Sequence, residues 1–95
     1  MASELIEQTE KNRYVFLQDG DQVGVTGYQR RGDAVYLTHT EVNPDRRGQG
    51  IADAMVRAVF DDIRSKGNLS VVAACPFVVE WLERNPDDRD LERKA

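Results

Sequence analysis

Cysteine occurs once in these 95 residues, at Cys75, so no intramolecular disulfide can staple the fold. Such a chain suits a reducing compartment. Long apolar runs are also missing, and none approaches the length needed to span a bilayer. Met1-Ala2-Ser3-Glu4 lacks the basic-then-apolar pattern of a secretory leader, so the expected location is cytoplasmic. Basic charge is in short supply: 13 Lys and Arg against 17 Asp and Glu leave a formal net charge of −4. That balance speaks against nucleic acid as the main partner and mildly favours a cationic one such as an amine. No glycine-rich turn leads into Lys-Ser or Lys-Thr, which excludes a P-loop, and no metal site is expected. Asn68-Leu69-Ser70 is a glycosylation sequon without meaning unless the chain is secreted, and Arg31-Gly32-Asp33 reads as a hairpin turn.

What the chain does have is concentrated between Glu41 and Ala52. A strand-like run ends, Arg46 and Arg47 precede Gly48-Gln49-Gly50, and an amphipathic helix starts at once. Glycines let the backbone approach an anion closely, and the free N–H groups of a helix start point at it. The positive end of the helix dipole adds to the attraction, and an arginine adds a charge-assisted bond. A dinucleotide fingerprint would need a third glycine where Asp53 stands, so that reading fails. Ile51, Ala54, Met55, Ala58, Val59 and Ile63 recur at helical spacing, while Asp53, Arg57, Asp61 and Arg64 form an opposite, charge-alternating stripe.

The pattern predicts a single α+β domain over 1–95. Strands are expected at Leu5–Thr9, Arg13–Gln18, Gln22–Arg30 and Ala34–Val42, joined by short turns and therefore antiparallel. A helix over Gly48–Ser65 leads to a short apolar strand at Leu69–Ala74, and the crossover makes that strand parallel to the fourth. Pro76 opens a second helix, about Phe77–Arg84, stopped by Asn85-Pro86. The charged tail from Asp87 to Ala95 is expected to fray.

With the strand and helix on either side, Gly48-x-Gly50 resembles the pyrophosphate loop of the GCN5-related N-acetyltransferases. That signature is Gln/Arg-x-x-Gly-x-Gly/Ala, and Asp45 holds its first position here. The element order resembles the core of that acyltransferase fold along nearly the whole chain. His39-Thr40, Cys75 and Asn85-Pro86 further resemble a very small single-domain subgroup, sometimes labelled YidJ-like. The resemblance implies an acetyl-CoA-dependent N-acetyltransferase acting on an amine in an open site. It implies coenzyme A contacts from Thr40, Val42, Asn43, Arg46, Arg47, Gly48, Gln49, Gly50, Ile51 and Ala52, largely through backbone amides. Asn85 would reach the pantetheine arm or serve only to stop the helix, and Phe77 would touch the coenzyme or pack the last helix on the sheet.

Acyl transfer to an amine needs a proton acceptor for the amine and a proton for the leaving thiolate. His39 and Glu41 alternate with Thr40 and Val42 on the fourth strand, beside the gap where the resemblance puts the thioester. Imidazole is the side chain best matched to proton transfer at neutral pH. The bland alternative is a histidine capping the apolar face of Val35 and Leu37, and Glu41 is either the base itself or a solvated strand-end charge. Cys75 precedes Pro76 at a helix start, a place that favours a thiolate; otherwise it is a small buried hydrophobe. Tyr14, Tyr28 and Tyr36 all lie in earlier strands, so no tyrosine is at hand for the leaving thiolate. Cys75 then protonates it, carries the acetyl group itself, or does neither. A coenzyme A or acyl-CoA binding module with weak or lost catalysis is the alternative function, and a small interaction domain is a third. Oligomeric state is not written in the sequence.

Overall fold

The computed structural model describes residues 2–46 and 50–93. Strands β1 (Ser3–Gln8), β2 (Arg13–Gln18), β3 (Asp21–Arg31) and β4 (Ala34–Val42) form an antiparallel meander. Helix α1 (Ile51–Lys66) then crosses over to β5 (Ser70–Ala73), which pairs parallel to β4, and α2 (Pro76–Arg84) follows. The sheet order is β1-β2-β3-β4-β5. β2 and β4 fall on the predicted residues, because turn signals bound both ends of each run. The turn after β1 is a 3-10 turn at Thr9–Lys11, closed by Asn12 in the left-handed region. No helix among the described residues is long and apolar enough to cross a membrane.

Both helices lie on one sheet face. Tyr28, Val35, Leu37 and Val71 from the strands share a buried cluster with Val56, Phe60 and Ile63 of α1 and Val78, Trp81 and Leu82 of α2. The Phe60 and Trp81 rings tilt against each other at 4.8 Å, which locks the helices together. Burying each such side chain contributes about 1.5–3 kcal/mol, so this layer is the main source of stability. Polar contacts also tie β1 and β2 to α1. The Tyr14 hydroxyl donates to Asp62 (2.8 Å) and that of Tyr28 to Glu7 (2.5 Å), while Lys66 bridges Asp62 and Glu7 at 2.5 and 3.3 Å. Burial, reinforced by these carboxylates, pushes both phenols well above their ordinary range.

The tail departs from the expectation of fraying. Pro86–Leu91 forms a 3-10 turn, and Asp88 within it is only 5% exposed. Arg57 grips the Asp88 carboxylate through two bonds of 2.7 and 2.8 Å, and Arg64 adds a third at 3.2 Å. The Arg57 guanidinium also lies 4.9 Å above the Trp81 ring. Beyond the turn, the Arg93 N–H donates to the Val71 carbonyl (2.7 Å), and Glu92 forms a parallel bridge to Val71. Side-chain charge alone suggested a solvated tail. Two arginines seven residues apart on α1 supplied the partner that made one carboxylate buriable. Residues 94–95 lie outside the described residues.

Candidate functional site

The site begins with a register shift. Gly27 pairs with His39 and Tyr28 with Leu37, which leaves Thr38 as an extra residue in β4. Such a bulge reverses the inward–outward alternation beyond it. Leu37 therefore faces the helices, and so do Thr40 and Val42. Thr40 sits opposite the buried Thr26, and Val42 packs beside Phe16, Ile51 and Met55. His39 and Glu41 face the other way, onto a sheet face that no described helix covers. The reading of His39 as a cap on the Val35–Leu37 face is thereby excluded.

On that open face the two side chains meet, with His39 Nε2 3.3 Å from Glu41 Oε1. They are 58% and 69% exposed, so the pair is solvated and free to turn toward a substrate. Gly27 leaves room beside the imidazole. A Cβ there would lie 3.3 Å from that of His39, tighter than ordinary contact.

The gap next to them follows from strand length. β5 pairs with β4 only from Ala34 to Leu37, and the Ala74 N–H makes the last link to the Leu37 carbonyl at 3.1 Å. The chain then turns into α2, so Thr38 to Val42 have no strand partner on that side. This notch offers an unpaired backbone edge to an extended ligand. Cys75 stands on its other bank as the N-cap residue of α2, 7% exposed. Its carbonyl accepts the N–H groups of Val78 and Val79, whereas its thiol does not cap the helix and donates to Thr40 Oγ1 at 3.6 Å. No hydrogen bond joins Cys75 to His39 among the described residues. Thr40 as the partner of the thiol was not anticipated, because its facing depends on the bulge.

The other expected positions divide. Arg47, Gly48 and Gln49 lie outside the described residues. Gly50 is the N-cap of α1 in the left-handed conformation, φ +71°, which a side chain would strain. Its Cβ would meet nothing, so conformation rather than crowding calls for glycine. No side chain caps this helix start, and the amides of Ile51 and Ala52 have no intrahelical acceptor. The Ile51 side chain itself is core. The Asn43 side chain accepts the Asp45 N–H (3.0 Å) and shapes the loop. Arg46 reaches toward Asp21 (3.4 Å) and Gln18 (3.5 Å). Asn85 donates to the Trp81 carbonyl (2.8 Å), a helix-stopping role, and Phe77 packs against the core. An open cavity of ≈ 410 Å³ adjoins the notch, walled by Gly24, Val25, Glu41, Val42 and Asn43 among others. A second, of ≈ 370 Å³, lies between the helices at Asp53, Arg57, Trp81 and Arg84. Neither Tyr14 nor Tyr28 offers a hydroxyl here, since both are committed to carboxylates elsewhere.

A mixed sheet whose parallel β4–β5 pairing stops at Leu37 and Ala73, with a helix start following the end of β4, has the architecture of the acyl-CoA-using transferases. The family profile described as GCN5-related N-acetyl-transferase matches residues 13–91, and the chain belongs to that family. With membership comes the activity class: acetyl transfer from acetyl-CoA, its cosubstrate, to an amine. Among solved structures, the chain is similar to a GCN5-like protein of Staphylococcus aureus that carries a provisional N-acetyltransferase name. The TM-score is 0.71 at 21% identity, over 97% of this chain and 89% of that one. It is also similar to the ribosomal-protein-S18-alanine N-acetyltransferase of Escherichia coli, with TM-score 0.62 and 19% identity. That match covers 77% of this chain and 50% of the enzyme, so only half of the larger protein has a counterpart here. N-acetylglutamate synthase from Neisseria gonorrhoeae, solved with coenzyme A and N-acetyl-glutamate, matches at TM-score 0.57 and 16% identity. There the overlap is 78% of this chain and 18% of the synthase. At these identities the structures speak for the fold alone.

Proposed function

We propose that the chain moves the acetyl group of acetyl-CoA to a primary amine at the notch between β4 and β5, with His39 as general base. One observation carries this reading: the unpaired edge of Thr38–Val42 is flanked by an imidazole–carboxylate pair on one sheet face and a thiol on the other. The coenzyme lies along that edge with its pyrophosphate at the start of α1, bound by backbone amides rather than by Arg46. The amine approaches over the open face, beside Gly27. Its nitrogen attacks the thioester carbon, a C–N bond forms, and the C–S bond breaks. His39 takes the amine proton, and Glu41 orients the ring and stabilises the imidazolium. Cys75 gives its proton to the departing thiolate. Direct transfer is favoured over an acetyl-cysteine intermediate, because Cys75 is 7% exposed and its sulfur is already hydrogen-bonded.

A panel of amines, from polyamines to lysine peptides and free N-termini, monitored by release of coenzyme thiol, tests this function. Amine-dependent release from acetyl-CoA supports the reading. A rise in thermal midpoint with acetyl-CoA but no release with any amine would leave a binding module instead.

A further inference from the structure

The Asp88 carboxylate and the Thr26 hydroxyl are both buried, and they differ sharply. Asp88 is fully paired, whereas the hydroxyl of Thr26, a residue 0% exposed, has no hydrogen-bond partner among the described residues. An orphaned buried hydroxyl costs stability and calls for an explanation. Its place supplies one. Thr26 lies directly opposite Thr40 in the β3–β4 register and on the same face, and Thr40 is the only side chain among the described residues that is hydrogen-bonded to Cys75. Among the described residues no ammonium, guanidinium or imidazole bonds that sulfur. If the sulfur is to bear charge even briefly, the hydroxyl of Thr40 is what it has.

We propose that Thr40 is the positioning residue of Cys75 and that Thr26 backs it, through a hydrogen-bond chain that reverses when the thiol gives up its proton. The proposal rests on the reading of Cys75 as the proton donor to the leaving coenzyme. In the resting protein the thiol donates to Thr40 Oγ1. On protonating the coenzyme thiolate, the Cys75 S–H bond breaks and the coenzyme S–H bond forms. The Thr40 O–H then rotates to donate to the Cys75 thiolate. The Thr26 side chain turns about its Cα–Cβ bond to donate its O–H to Thr40 Oγ1, and so gains the partner it lacks. A hydrogen bond to a charged atom is stronger than one to a neutral thiol, so the chain favours proton release. Recovery follows when solvent reprotonates the sulfur.

The test needs no acetyl-CoA, so its failure can be told apart from failure of the transferase reading. Iodoacetamide alkylates the thiolate of Cys75, forming an S–C bond and releasing iodide, and the rate follows thiolate population. It is measured by mass for the wild type, Thr40→Val, Thr40→Ser and Thr26→Val, each confirmed folded by its thermal midpoint. The urea-unfolded chains serve as reference and must all react alike. The expected result is a fall of about tenfold in Thr40→Val, recovery in Thr40→Ser and a smaller fall in Thr26→Val. A steric role alone would not be rescued by serine, which lacks the methyl group. An unchanged or faster rate in Thr40→Val overturns the proposal. So does a folded wild type that never reacts, because a thiol out of reach of a small reagent is a packing residue. Should Thr40→Val fail to fold, Thr26→Val decides: an unchanged rate there removes the chain.

Discussion

The clasp around Asp88 and the notch beside Cys75 both set polar atoms among buried neighbours, yet they treat them oppositely. In the clasp the buried carboxylate accepts three hydrogen bonds from two arginines, one of which also stacks on Trp81. In the notch, among the described residues, a backbone edge lacks a strand partner, a threonine hydroxyl lacks any partner, and a thiol rests on a single long contact. A satisfied cluster adds to the stability of the fold and leaves nothing for a ligand to supply. An under-satisfied one costs stability that a ligand can restore, as expected where a site is held ready. On the proposed function, the clasp serves the fold and the notch serves the chemistry.

The contrast can be broken most severely at His39. The side chain is exposed and supports no packing, so His39→Ala should leave the thermal midpoint unchanged. Turnover should fall by roughly a hundredfold to ten-thousandfold with little change in KM for acetyl-CoA. Full turnover across pH in this variant would transfer the base role to Glu41 or to water. Next comes Gly50→Val, which forces a β-branched residue into the left-handed region at a cost of about 1–3 kcal/mol. It should reduce affinity for coenzyme A at least tenfold, read as loss of the midpoint rise that the ligand gives the wild type. Unaltered affinity in a folded Gly50→Val would remove the helix start from the site.

Asp88→Asn attacks the other side of the comparison. It should cost about 1–3 kcal/mol, between the values for exposed and fully buried pairs, because Arg57 is partly solvated. Turnover should not change. The hydrogen bonds from Arg57, and then from Arg64, hold the Asp88 carboxyl below its ordinary value. A depressed folded-state value means that this stabilisation is present above the unfolded value of about 3.9 and is lost as pH falls through the folded one. Urea midpoints against pH for wild type and Asp88→Asn should therefore converge on acidification. A constant gap down to the acid limit would contradict the assignment. The smallest effect is expected at Thr26→Val, where an isosteric methyl replaces an unpaired hydroxyl. Stability should stay within about 0.5 kcal/mol or rise, and a larger loss would mean that the hydroxyl has a partner after all.

Much of this fold could be read from periodicity. β2 and β4 were bounded correctly because glycine, aspartate and asparagine turns punctuate alternating runs, and Gly67 marks the end of α1 within a residue. The sequence pointed to the Gly-x-Gly, His39-Thr40 and Cys75 as candidates, and the fold brings His39, Thr40 and Cys75 to the two sides of one notch. What could not be read was facing. Alternation alone puts His39 on the face of Val35 and Leu37, and only the extra residue at Thr38 reverses it. A bulge is a property of pairing with β3, and no local signal in β4 announces it. The docked tail was hidden for a related reason. Asp88 is one of several acidic residues near the end of the chain, and only the spacing of Arg57 and Arg64 on a distant helix selects it. The contact of Arg46 with Asp21 was equally hidden, since proximity to the loop says nothing of a carboxylate across the β2–β3 turn.

The central claim, that the notch binds acetyl-CoA while the clasp only holds the fold, is tested most directly by amide NMR shifts on titration with coenzyme A. The account predicts perturbations at Thr38–Val42, Gly50–Ala52 and Cys75, with Asp88 and its neighbours in the 3-10 turn unmoved. Shifts centred on Arg57, Trp81 and Asp88, with Thr40 and Cys75 silent, would contradict it.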